Sequence, residues 1–123
     1  MTSNLSMSFR LNNIDATQAG TSIIFTTSSM NFRLQNIIFD VTSLSNMKLE
    51  PYISIGISGP TYTDLFPIMN LSSNVSNTYQ MFTLSGGIYP DIPENSNVVL
   101  NIQYPSKADT YIMNVTLVGF YDN

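Results

Sequence analysis

A chain of 123 residues without one histidine or cysteine lacks the commonest general base, the commonest zinc ligand and the thiol nucleophile. What remains for chemistry is eight carboxylates, four cations and a large stock of Ser and Thr hydroxyls. A serine nucleophile needs an activating base, and the nearest substitutes, Lys48 and Lys107, stand in loop-like contexts among Pro, Ser and Asn. A glycosidase needs two carboxyl groups at a set separation. Asp15, Asp64, Asp91, Glu94 and Asp109 fall instead at strand ends and turns, which acidic residues favour for their own hydrogen bonding. The chain reads as non-enzymatic, with no catalytic residue and no cofactor.

Two stretches could bind something. In "YPDIPENSN" (89–97), Asp91, Glu94, Asn95 and Asn97 offer hard oxygen ligands of the kind calcium takes. The stretch lacks the dense Asp/Asn alternation and the glycine of an EF-hand loop, so it reads as a Pro-fixed turn, and no metal ligand is assigned. In "SGPTYTDLFP" (58–67), Leu65 and Phe66 are expected to plug an open end of the fold, which leaves Tyr62 for a contact. Tyr62, Tyr89 and Tyr104 are the candidate ligand or partner contacts, since a glycan site needs an exposed aromatic platform with amide and acid neighbours. Sequons at Asn4, Asn70, Asn74 and Asn114 are near the number that so much Asn, Ser and Thr produces by chance.

The elements that must position these residues are strands. Eight runs rich in β-branched and aromatic residues are separated by Gly, Pro, Asn and Ser: 6–11, 21–27, 30–42, 51–58, 64–71, 78–85, 97–104 and 110–121. No window has a helical period with start and stop signals, and only 12–20 and 43–50 leave room for a helical turn. Met7, Phe9 and Leu11 share one face; Ile53, Ile55 and Ile57 share another; Val98, Leu100, Ile102 and Tyr104 make a third. In the third run Met30, Phe32 and Leu34 are in phase, but Ile37, Phe39 and Val41 are shifted by one, which predicts a β-bulge at Gln35–Asn36. The expected fold is one all-β domain over 1–123 with residues 1–5 frayed: an eight-stranded antiparallel β-sandwich, with the strand count of a jelly roll. An immunoglobulin-type sandwich fits the count too, but its Cys…Trp…Cys signature is absent.

Composition narrows the partners. The net charge is −4, and Arg10, Arg33, Lys48 and Lys107 are scattered, which excludes nucleic acid as the partner. No segment approaches the ~18 apolar residues needed to span a bilayer. The N-terminus "MTSNLSMSF" lacks a signal-peptide layout, so the chain is expected to be made in the cytoplasm and used without processing. With no disulfide available, robustness must come from packing or assembly.

Assembly is favoured by the last run, "TYIMNVTLVGFYDN". Tyr111, Met113, Val115 and Leu117 form one apolar face, while Ile112, Val118 and Phe120 load the other, with Asn114 and Thr116 as a wetter stretch between them. A monomer rarely exposes a contiguous apolar patch above a few hundred Å². The run is therefore expected to be a central strand, with Ile112, Val118 and Phe120 at an oligomer interface.

In strand number, low charge, Ser/Thr/Asn content and this closing apolar strand, the chain resembles small jelly-roll proteins of viral and phage particles. The nearest groups are capsid decoration or cement proteins and trimeric fibre heads; the last strand is also similar in style to that of trimeric heads of the tumour-necrosis-factor type. The resemblance implies a homotrimer at the virion surface that binds and stabilises a shell of capsid proteins. Its alternative is a receptor- or carbohydrate-binding head of a fibre, or a carbohydrate-binding module.

Overall fold

The computed structural model describes residues 6–70, 78–83 and 91–121. In chain order the strands are β1 (Met7–Asp15), β2 (Gly20–Thr26), β3 (Phe32–Ser45), β4 (Tyr52–Gly56), β5 (Phe66–Asn70), β6 (Thr78–Thr83), β7 (Asp91–Ile92), β8 (Asn97–Tyr104) and β9 (Thr110–Tyr121). They form two antiparallel sheets, one in the order β1-β9-β3-β6 with β7 beside β3, the other in the order β2-β8-β4-β5. The expected count of eight is corrected by β7, a two-residue strand that forms where the sequence reads only as a turn, because Ile92 and Asp91 pair with Phe32 and Arg33. The described residues contain no helix. Of the spans offered to a helical turn, 12–15 and 43–45 extend β1 and β3 instead, because the 12-residue β9 carries both ladders on to Asp15↔Ile112 and Ser45↔Thr110. After Asp15 a single turn forms, with Gln18 N–H donating to the Asp15 carbonyl at 3.3 Å.

The phase shift read in the third run is a bulge. Leu34 pairs with Gly119 and Asn36 with Val118, so Gln35 is extra, and both flanking sets (Phe32 and Leu34; Ile37, Phe39 and Val41) are buried. A second irregularity falls in β1 between Leu11 and Ile14, where Asn13 has a φ of 58°. Asparagine tolerates this left-handed backbone better than most residues.

The core lies between the sheets. β9 sits inside its sheet between β1 and β3, as expected, and Tyr111, Met113, Val115 and Leu117 are wholly buried. At one end Phe9, Phe25, Phe32 and Tyr121 gather, with Phe9 stacked on Phe25 at 4.1 Å and Phe32 edge-on to Tyr121 at 5.1 Å. Phe25 comes from the second sheet and the other rings from the first, so the cluster ties the layers together. Gly119 has to be small here, since a Cβ would meet the Arg33 carbonyl and lie 2.6 Å from the Phe32 ring. Phe66 is buried against Phe39, as the plug reading required. Tyr104 departs from its strand: Val98, Leu100 and Ile102 are buried, but Tyr104 is 57% exposed at the end of β8.

Candidate functional site

The residues that could meet another molecule lie on the outer faces of the two sheets. On the first, Ile112, Thr116, Val118 and Phe120 of β9 are half-buried, paired with Asp15, Ile38, Asn36 and Arg33 respectively. The three expected interface residues share this face but not one patch. Val118 and Phe120 are neighbours along it, while Ile112 stands six residues from Val118, roughly 20 Å along an extended strand.

Asn114 divides them, and its expected role is corrected: it is 6% exposed rather than wet. Its Oδ1 accepts from the Asn13 N–H at 3.0 Å, which satisfies the left-handed turn of β1. Its Nδ2 donates to Asp40 at 3.3 Å, and Asp40 also accepts from Arg10 at 3.3 Å. Arg10 in turn donates to Asn12 at 2.6 Å. A polar network thus crosses β1, β9 and β3 in the middle of the face. A glycan on Asn114 has no room there.

On the second sheet, the loop 57–65 folds back over the outward residues of β4 and β8. The Thr61 carbonyl accepts from Ser54 Oγ at 3.0 Å and from Asn101 Nδ2 at 3.1 Å. The Asp64 carboxylate accepts from the N–H groups of Ile57 and Ser58, at 3.0 and 3.4 Å. At Gly56 any side chain would run into Tyr62 and Asp64. This pinned loop makes one wall of a concavity of about 730 Å³, lined by Thr21, Ile23, Ile57, Tyr62, Asn95, Ser96, Asn97 and Val99.

The opposite rim is the turn before β8. Asn95 N–H donates to the Ser28 carbonyl at 2.9 Å, Ser96 N–H to Thr27 Oγ1 at 2.7 Å, and Thr27 Oγ1 to the Pro93 carbonyl at 2.8 Å. These bonds make the stretch a fixed turn. Among the described residues no three Asp or Glu side chains come together as metal ligands. Ser106, next to Lys107, is buried, and its hydroxyl donates to the Leu49 carbonyl at 2.7 Å.

Of the candidate contact residues, Tyr62 is half-buried on the groove, and Tyr104 meets Tyr52 edge-on at 5.9 Å with both rings exposed. Tyr62 and Tyr104 are not brought together: Val99, beside Tyr62, and Tyr104 are five residues apart on β8, about 17 Å. Tyr89 lies outside the described residues.

With this geometry in view, three solved structures match the chain over nearly its whole length. A chain of the acid-stable capsid of Helicobacter pylori bacteriophage KHP30 superposes with a TM-score of 0.66 at 11% identity, covering 94% of this chain and 87% of that one. The fold is one found in phage capsids. A chain of the cyanophage Pam1 capsid gives 0.59 at 9% identity, covering 97% and 86%, and one of the Ralstonia phage GP4 capsid gives 0.58 at 16%, covering 97% and 83%. No protein-family model and no curated protein matches the sequence.

Sequence reasoning missed most of the groove: Ile23, Ile57, Asn95 and Asn97 were read as core or turn residues, or not at all. One signal was available. In "TSIIFTT" two adjacent isoleucines cannot both face inward on a regular strand, and Ile23 is 54% exposed where Ile24 is buried.

Proposed function

We propose that the chain is a non-enzymatic structural protein of a phage or other virus particle: a jelly-roll decoration (cement) protein that binds the shell at the virion surface as a homotrimer. One observation carries the reading. The pairs β1–β9, β2–β8, β3–β6 and β4–β5 are nested, so the chain is one long hairpin rolled into two sheets, which supports a jelly roll, and the chain superposes on 83–87% of each of the three capsid chains. The half-open outer face of β9, with Ile112, Val118 and Phe120, supports it as the surface through which copies meet, and the negative net charge suits a protein kept away from nucleic acid.

Light scattering of the purified protein over a dilution series is expected to give three times the chain mass of 13.7 kDa. A clean monomer at micromolar concentration overturns the intrinsic trimer. Phe120→Ser is expected to raise the concentration at which the oligomer dissociates by about tenfold or more, with the β signal in circular dichroism unchanged. A variant that stays assembled but loses that signal shows that Phe120 serves the fold alone. Antibodies against the chain are expected to label intact virions; labelling only after particle disruption rejects the decoration role.

A further inference from the structure

We infer that the groove between Tyr62 and the Asn95–Asn97 turn is a binding site for a neutral saccharide, independent of the assembly proposed for the opposite sheet. The argument begins with the lining. Tyr62, Ile23 and Ile57 offer the apolar surface on which the C–H face of a sugar ring packs, over the buried Val99 at the base, and Asn95 and Asn97 bring planar amides that pair with adjacent hydroxyls. No Asp, Glu, Lys or Arg lines it, which disfavours phosphate, nucleotide and charged peptide. The volume of about 730 Å³ falls within the roughly 300–1,000 Å³ of small-molecule sites.

The groove is also built rather than incidental. Among the described residues, four non-glycine residues have positive φ, and two of them, Tyr62 at 51° and Asn95 at 55°, stand on opposite walls of this groove. For a bulky ring such a backbone is costly and persists only where the surroundings over-determine it. Here the surroundings are the bonds from Ser54 and Asn101 to Thr61, and from Ile57 and Ser58 to Asp64. A Cβ at Gly59 would lie 2.9 Å from the Tyr62 hydroxyl, so the glycine lets the ring lie where it does. On the facing wall, Asn97 Oδ1 accepts from Thr26 Oγ1 at 2.7 Å, which orients the amide, and the described residues give its Nδ2 no partner. A wall set before the ligand arrives loses little entropy on binding.

A peptide adding as a strand needs an open edge. The floor of this groove is β8, paired on both sides with β2 and β4, so recognition over it falls to side chains. β2, which lends Thr21 and Ile23, is the sheet's edge strand, and a peptide library tests that edge.

The test is methyl-detected NMR of the full chain, titrated with glucose, galactose, mannose, N-acetylglucosamine and their short neutral oligomers. Saturable shifts of the Ile23, Ile57 and Val99 methyls are expected with at least one of them. Tyr62→Ala is expected to weaken that binding about tenfold or more, while Tyr62→Phe, which keeps the ring, stays within about twofold. Ile23→Arg blocks the groove at a side chain 54% exposed, so its fold survives and its binding does not. If no sugar moves these methyls, or a peptide library does so and the sugars do not, the site is not a saccharide site. Phe120→Ser is expected to leave sugar affinity unchanged. Loss of sugar binding in step with loss of assembly overturns the independence of the two surfaces.

Discussion

On the second sheet, the outward residues Ser54, Val99 and Asn101 are at most 6% exposed, because the loop 57–65 lies against them. On the first, the outward residues Ile112, Thr116, Val118 and Phe120 stay half-open, and only Asn114 in their midst is buried. Both faces carry side chains that water serves poorly. One is covered within the chain over β4 and β8, though not at Ile23 of β2, by a loop with a left-handed tyrosine; the other has no such loop among the described residues. A cover made in cis uses atoms of the same chain and is complete at any dilution. A cover made by another molecule depends on concentration, and the two faces should therefore respond differently to substitution.

The largest expected effect is at Gly56. An added Cβ would run into the Asp64 carboxylate and lie 2.6 and 2.8 Å from backbone atoms of Tyr62, so the loop must move as a whole. Gly56→Ala is expected to lower unfolding stability in urea by about 3 kcal/mol and to open Val99 to solvent. Thr116→Val on the other face should shift monomer stability by less than about 0.5 kcal/mol. Equal effects would mean that the loop is not a cover.

Next in size is a test that the layer between the sheets is dry, which the contrast of outer faces assumes. The Tyr111 hydroxyl is buried without a partner among the described residues, and its pKa is pushed up to about 12, first by burial and then by the charge of Glu50. Because the folded pKa lies above the ordinary value near 10, this group's contribution is complete below that pH and is lost as pH rises through about 12. The loss is on the order of 2 kcal/mol. Tyr111→Phe is expected to be at least as stable at pH 8 and to flatten the decline above pH 10. An unchanged alkaline decline in the variant means that water reaches this layer.

The difference between the faces was only half legible in the sequence. The all-β fold, the bulge at Gln35–Asn36 and the apolar faces that put β9 inside its sheet follow from period-two alternation, which depends on neighbours along the chain. What a loop does afterwards is not periodic. Nothing local to "SGPTYTDLFP" tells that Thr61 receives hydrogen bonds from Ser54 and from Asn101, 40 residues away. Asn114 was misread for the same reason: its partners Asn13 and Asp40 come from two other strands. Tyr104 failed differently, since alternation assigns a face but not the point at which a strand outruns the sheet opposite it.

The smallest effect sharpens the comparison most. Arg10 and Asp40, at 50% and 38% side-chain exposure and 3.3 Å apart, form a surface pair whose worth in the monomer is under about 1 kcal/mol and falls with salt. Asp40 also accepts from Asn114, so Asp40→Asn disturbs two bonds in the centre of the open face. If a second copy covers that face, the same network loses its water, and the substitution leaves Arg10 uncompensated in a drier setting. Its cost to the oligomer should then exceed its cost to the monomer, and the excess should survive 1 M salt, where an exposed pair is screened within about 3 Å. Light scattering and urea unfolding of Asp40→Asn at low and high salt measure both. Equal, salt-labile effects on the two would leave this face in water and move the meeting of copies elsewhere.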